Sequence, residues 1–331
     1  MSADPLVVTA SPHIKAADTT PRIMWHVVVS LVPVIVASAW FFGISALLVI
    51  AAATLGALIT EKLMGRPHAL RDGSATITGL LLGLCLPSGF PLWMAFLGGA
   101  FGIGFGKTVW GGLGQNAFNP ALVGRAFLQA AFPVAITTWP KPGGSFRTLG
   151  GDLFALPFMH PVTDAVTAAT PLGLWKFEKQ VTPLNDLVFG TTGGSVGETA
   201  ALLILAGGVY LAIMGCLNWR APVAIVLTVG VFSGVMHAVD ATKPGGLFMI
   251  FSGGLMLGAV YMATDMVTVS VTNPGRWIFG IGVGLLVVVI RVWGGLPEGV
   301  MYAILLMNAM TPFINRATQP RVFGSSTRIP S

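Results

Sequence analysis

The sequence predicts an all-α polytopic membrane protein of about ten transmembrane helices, arranged as two inverted five-helix repeats with one long loop between them. Composition is the first observation behind that expectation. Of 331 residues, 54% are hydrophobic and only 9% charged, where a soluble domain carries about 25% charged residues. The second is the division of the chain into apolar runs bounded by Gly, Pro or charge. The third is a recurring pattern: Val109-Trp110-Gly111-Gly112-Leu113 returns as Val292-Trp293-Gly294-Gly295-Leu296. Each copy is followed by Asn-Ala-x-x-Pro, first from Asn116 to Pro120 and then from Asn308 to Pro312.

Taken in order, residues 1–23 form a polar N-terminal arm. Apolar runs follow at 24–42, 44–60, 75–87, 91–106 and 121–137, then at 199–217, 221–239, 248–264, 277–292 and 299–314. Ala37-Ser38-Ala39 imitates a signal-peptidase site, but small residues are common in packed spanning helices and the run is kept as an uncleaved helix. The third and fourth runs are short and separated only by Pro87-Ser88-Gly89-Phe90; interrupted segments of this kind line sites in transporters. The predicted units are thus a first membrane repeat at 24–137, a loop at 138–198, a second repeat at 199–314 and a tail at 315–331. The two Val-Trp-Gly-Gly-Leu copies close spans four and nine, an odd number of spans apart, which an inverted repeat requires.

Orientation follows from Lys and Arg in the short loops. With the N-terminus inside, the inner segments hold Lys15, Arg22, Lys62, Arg66, Arg71, Lys107, Arg220, Arg276, Arg316, Arg321 and Arg328; the opposite side holds Lys243 and Arg291. Both termini are therefore expected in the cytoplasm and the 138–198 loop outside.

Several chemistries are excluded. Cys85 and Cys216 lie in separate apolar runs and make no Cys-x-x-Cys pair, and His13, His26, His68 and His160 are scattered, so neither type builds a metal site. No basic, aromatic-interleaved patch points to nucleic acid. No glycine-rich dinucleotide fingerprint follows a strand, so NADH is not expected to bind this chain. No catalytic side chain is assigned.

Ionisable residues inside apolar runs are the default site candidates. Arg125 follows Asn119-Pro120-Ala121, with snorkelling to the interface and an anion or flavin contact both open to it. Asp72 precedes the third run and Asp265 ends the eighth; each suits a helix cap or a place on an ion path. His237 and Asp240 read as an interfacial pair. Two function classes fit this frame: a channel or secondary transporter for a small solute with no redox cofactor, and a redox protein coupling electrons to ions. The 138–198 loop, rich in Gly, Pro and Thr with Trp139, Phe146, Phe154 and Phe158, separates them, because a transporter does not need it.

A resemblance decides between the two. Ser11-Pro12-His13, Asp72-Gly73-Ser74-Ala75 leading to Thr78-Gly79-Leu80-Leu81-Leu82-Gly83-Leu84, and Asn119-Pro120-Ala121-Leu122-Val123-Gly124-Arg125-Ala126-Phe127 carry it. So do Asp164-x-x-Thr167-Ala168-Ala169-Thr170-Pro171-Leu172 and Met262-Ala263-Thr264-Asp265. Along nearly its whole length the chain resembles the RnfD family of Rnf-complex proteins and, more distantly, the NqrB proteins of the sodium-pumping NADH:quinone oxidoreductase. That resemblance implies a flavoprotein component of the bacterial inner membrane, passing electrons between the NADH and ferredoxin sides of a complex that moves Na+ or H+. It implies FMN held by a phosphoester on Thr170, within the motif Asp164, Thr167, Ala168 and Ala169; the family pattern at the last four positions is Ser-Gly-Ala-Thr, from which Thr167 and Ala168 depart. A second, noncovalent flavin, riboflavin, is expected near Asp72, Ser74, Asn116, Asn119 and Arg125, with Asp72 and Asp265 on the ion path. Implied partners are the other Rnf subunits, among them a second covalent flavoprotein and iron–sulfur membrane subunits. The isolated chain is not expected to be catalytically complete.

Overall fold

The computed structural model describes residues 19–65, 69–140, 142, 149, 153–157, 169–190, 192–198 and 201–320. Fourteen helices are described: α1 Thr20–Phe42, α2 Ile44–Met64, α3 Ser74–Leu84, α4 Leu92–Ile103, α5 Pro120–Ala131, α6 Pro133–Thr137, α7 Pro171–Gly173, α8 Leu184–Phe189, α9 Ala201–Ile213, α10 Arg220–Val239, α11 Gly246–Phe251, α12 Leu255–Leu257, α13 Asn273–Trp293 and α14 Val300–Ala317. Three of them run on into π-helical turns, α4 into Gly104–Thr108, α7 into Leu174–Glu178 and α12 into Gly258–Met262.

The expectation of about ten transmembrane helices as two inverted five-helix repeats is corrected. Among the described residues four helices are long and apolar enough to cross a bilayer: α1, α2, α10 and α13. The apolar runs are present, but glycine and proline cut several of them short. Helices α3, α5 and α9 have 11 to 13 residues, or about 17–20 Å at 1.5 Å per residue, against a hydrocarbon core of about 30 Å; α4 with its π-helical turn extends from Leu92 to Thr108. The fifth run breaks at Phe132-Pro133, and the eighth breaks at Ser252-Gly253-Gly254. In the tenth, α14 runs unbroken through Pro312 for 18 residues, but Asn308, Asn315 and Arg316 make it less apolar than α1, α2, α10 and α13. Nor do the two Val-Trp-Gly-Gly-Leu copies share a local structure. The first lies in a turn with positive φ at Gly111, Gly112 and Gly114; the second ends α13, with Gly294 extended. Asn116 then sits in a loop, whereas Asn308 lies inside α14.

The long helices show which surface meets lipid. On α1 the exposed side chains include Trp25, Val29, Val32, Val36 and Trp40, one apolar stripe at helical spacing, while Leu31, Val34, Ser38 and Phe42 are buried. A second stripe runs along α10 through Val223, Leu227, Val231, Val235 and Val239. A helix on a soluble protein would turn polar side chains outward there.

Small residues let the backbones approach. Gly79-x-x-x-Gly83 of α3 faces α2: a Cβ at Gly79 would lie 2.3 Å from Thr54 Cα, and one at Gly83 2.6 Å from Ile50 Cα. Gly280-x-x-x-Gly284 of α13 meets α10 in the same way, 2.5 Å from Ala224 Cβ and 2.7 Å from Thr228 Cβ. Helix α4 packs on α2 and α5, α14 on α13 and α5, and α1 on α9 and α2. The short elements thus fill the space between the long ones, and clefts open among them.

Candidate functional site

Thr170 opens a short helical element. Pro171 disfavours a helical Thr170, and Thr170 is extended (φ −69°, ψ 154°) with its Oγ1 accepting the Gly173 N–H at 3.1 Å. It is an N-cap followed by proline, the order a helix start favours. Leu172 and Trp175 anchor the element in the core. Lys176 reaches across to the end of α13, donating to the carbonyl oxygens of Arg291 (3.2 Å) and Leu296 (2.8 Å) and also to that of Gly294. A cation among terminal carbonyls complements the negative end of a helix. Burial, with Lys179 nearby, pulls this ammonium below the ordinary lysine range.

Thr170, a residue 7% exposed, borders a cleft of about 400 Å³ whose lining includes Arg125, Trp139, Phe177, Glu198, Glu298 and Tyr302. That volume lies within the range of small-molecule sites. The cleft floor is a charge cluster joining several elements. Arg125 of α5 donates to Glu298 Oε2 at 2.9 Å, and Gly254 N–H donates to Glu298 Oε1 at 2.6 Å. Arg291, fully buried in α13, stands 3.9 Å from the same carboxylate and donates to the carbonyls of Met249 (2.6 Å) and Ser252 (2.9 Å). Those carbonyls are free because the helix breaks at Ser252, and Gly253 with φ +69° leaves room for the cluster.

Glu198 comes from the connector before α9. Its position is held by backbone bonds: Val196 and Gly197 N–H groups donate to the Leu86 and Leu84 carbonyls at the end of α3, and Ser38 of α1 donates to the Val196 carbonyl. Glu198 Oε2 accepts from Ser195 N (2.8 Å) and Ser195 Oγ (3.1 Å). Burial, then the charge of Glu298, pushes its carboxyl up to about 7, whereas Arg125 and Arg291 hold Glu298 below the usual range.

A second cleft, of about 90 Å³, lies toward the other end of α5 and collects Ser74, Thr78, Lys107, Asn116, Asn119 and Asp265 among its lining residues. Asn119 caps α5 through Ala121 N (3.0 Å) and Leu122 N (3.4 Å), and its Nδ2 donates to Met262 O at 3.2 Å. Asp72 accepts from Ser74 N (2.8 Å) and Ser74 Oγ. Asp265 accepts from Val267 N (3.2 Å) and Thr268 Oγ1 (3.3 Å). Behind Ser74, Lys107 is buried in an ion pair with Glu61, with Asp72 at 3.7 Å.

The residues named from sequence therefore fall in two places. Thr170 and Ala169 line the first cleft; Asp164, Thr167 and Ala168 lie outside the described residues. Ser74, Asn116, Asn119 and Asp265 share the second cleft, Asp72 adjoins it, and Arg125 belongs to the first. His237 bonds the Lys243 carbonyl at 2.6 Å and Asp240 caps Thr242, both at the surface. Sequence reasoning misses Glu298, Glu198, Glu61 and the paired roles of Lys107 and Arg291. Ionisable residues at the edges of apolar runs are the available signal; the loop-charge rule counts Lys107 and Arg291 as interface charges, yet they are 2% and 0% exposed.

A family model described as NQR2, RnfD, RnfE matches residues 7–324. The D subunit of the proton-translocating ferredoxin:NAD(+) oxidoreductase complex of Clostridium ljungdahlii is 41% identical over 333 residues, covering 96% of each chain. Its counterpart in the Na(+)-translocating ferredoxin:NAD(+) oxidoreductase complex of Acetobacterium woodii is 39% identical, covering 96% of this chain and 95% of its own. The corresponding protein of an ion-translocating oxidoreductase complex of Stutzerimonas stutzeri is 41% identical, covering 94% of both.

Proposed function

The chain belongs to the NQR2, RnfD, RnfE family, and from that premise we propose that Thr170 is the attachment point of a redox cofactor within a larger electron-transfer assembly. The protein is a membrane subunit of a multi-subunit ion-translocating oxidoreductase of the Rnf type, associated with the other subunits of that complex. The proposal is that Thr170 Oγ1 is esterified to the phosphate of FMN, that electrons pass between NADH and ferredoxin sides of the complex, and that their flow drives an ion across the bacterial inner membrane. Two relatives of near-equal identity serve complexes named for different ions, so Na+ and H+ both remain within the proposal. The partners are a second covalent flavoprotein subunit, iron–sulfur subunits and other membrane subunits.

One observation carries the attachment: a buried threonine borders an aromatic-lined cleft of about 400 Å³ with a guanidinium in its wall. The residues fit the group. An ester oxygen at Thr170 can still accept the Gly173 N–H, Trp139, Phe177 and Tyr302 offer faces for a flat ring, and Arg125 offers positive charge. When attached, the flavin supplies reversible electron chemistry that no side chain of this protein provides. The chain's own contribution is to tether it through a rigidly capped threonine and to wall it in with short helices. A second, noncovalent flavin, riboflavin, belongs to the proposal at the second cleft, where Ser74, Asn116 and Asn119 supply polar groups and an adjoining space of about 310 Å³ shares Cys216, Leu217, Thr264 and Met266 with it. Asp72 and Asp265 are kept as proposed members of the ion path, since both carboxylates stand at or beside that polar cleft.

In-gel flavin fluorescence of the denatured protein tests the attachment. It is expected to vanish in Thr170→Ala and to survive in Thr167→Ala; loss confined to the second variant moves the attachment to Thr167.

A further inference from the structure

We propose that Glu198 is the proton-carrying carboxylate of the Thr170 cleft, taking a solvated proton as negative charge enters and releasing it to solvent as that charge leaves. Two carboxylates stand at the floor of this cleft and their surroundings differ. Glu298 is matched by the Arg125 guanidinium, by the Gly254 N–H and by Arg291 at 3.9 Å. Among the described residues, Glu198 has the Ser195 N–H and hydroxyl as its donors and makes no ion pair.

Two acids sharing one cleft do not both ionise cheaply, and the one without an ion-pair partner keeps its proton more readily. The charged and titratable groups facing Glu198 are Glu298 before α14, Arg125 of α5, Arg291 of α13, Cys85 at the end of α3 and Glu178 in the cleft wall. Burial and the Glu298 charge together push Glu198 up to about 7, where a carboxylate near neutral pH is half protonated. The bonds from Val196 and Gly197 to α3 keep the side chain facing the cleft rather than bulk solvent.

The step is balanced as a proton transfer alone. A hydronium ion from the solvent gives its proton to the carboxylate, leaving a carboxylic acid and a water molecule, and no electron passes through the glutamate. The source of the negative charge, an electron reaching the cofactor at Thr170, rests on the reading above; the existence of a titrating Glu198 does not.

Infrared spectroscopy of the purified full-length chain tests both parts. A carboxylic-acid C=O band is expected to titrate away with a midpoint near 7, to be lost in Glu198→Gln, and to persist in Glu178→Gln and Thr170→Ala. Glu198→Asp, for use should Glu198→Gln not fold, is expected to keep a titrating band with a shifted midpoint. Reducing wild-type protein with dithionite at mildly alkaline pH is expected to raise the band, and to leave it unchanged in Thr170→Ala. A titrating band that survives in Glu198→Gln, or none in wild type, overturns the proposal. A Glu198 band that does not respond to reduction of flavin-loaded wild type overturns its redox part. Flavin fluorescence retained in Thr170→Ala strikes the attachment reading instead, leaving the titration to be judged by the Glu198 variants.

Discussion

Glu298 is the residue on which the Thr170 cleft depends, because one carboxylate serves Arg125, Arg291 and the Gly254 amide at the break before α12. A buried ion pair adds little net stability, but removing one partner strands the other charge. Glu298→Ala is therefore expected to destabilise the protein by about 3–5 kcal/mol, seen as a lowered melting temperature in detergent, and by more than truncation of exposed Glu178. Glu198 behaves in the opposite sense. Its folded carboxyl is raised from 4.5 to about 7, so between those values the folded chain binds the proton more tightly than the unfolded one, and stability falls as pH rises through that window. Glu198→Gln, which cannot ionise, is expected to match wild type near pH 4.5 and to exceed it above pH 7 by up to about 3 kcal/mol; equal melting temperatures at both ends would contradict the shift. None of this is legible in the sequence. Glu198 and Glu298 look like ordinary loop acids, separated by a hundred residues and joined only in the fold, whereas Thr170 is singled out by family resemblance and its extended cap by Pro171.

Elements are legible as apolar runs, and their breaks only partly so. All ten runs coincide with helical segments, yet Pro133 and the Ser252-Gly253-Gly254 break divide two of them into pieces too short to span. Periodicity cannot foresee such breaks, because they persist only where other groups satisfy the freed backbone, as Arg291 does at Met249 and Ser252. The helix pairs themselves rest on glycine contacts. Gly79→Ala is expected to force α3 off the α2 backbone at Thr54 and cost about 1–3 kcal/mol. Gly234→Ala on α10, where a Cβ meets nothing within 4 Å, is expected to be neutral or to stabilise by up to about 1 kcal/mol. Thermal unfolding of the two variants distinguishes a packing role from a general intolerance of alanine.

At the scale of the molecule, lipid-facing stripes on α1 and α10 and an apolar interior that holds buried charges beside its clefts agree with an integral membrane subunit. The proposed orientation is testable through topology reporters. An alkaline phosphatase fusion after Gly190 is expected to be active outside the cytoplasm and one after Thr318 inactive; the reverse pattern would invert the topology drawn from Lys and Arg. That topology stands on loop charges such as Arg22, Lys62 and Arg220, since Lys107 and Arg291 are buried. Composition and run length by themselves determined that the chain lives in a bilayer, because transfer of apolar surface is nearly independent of how helices are arranged. Motif order along the chain carried its family and the special standing of Thr170. Only the tertiary structure decided how many helices are long enough to span, and which acids and arginines meet. Helix length is set where backbone groups find substitute partners, and the charge of a buried group is set by neighbours distant in sequence.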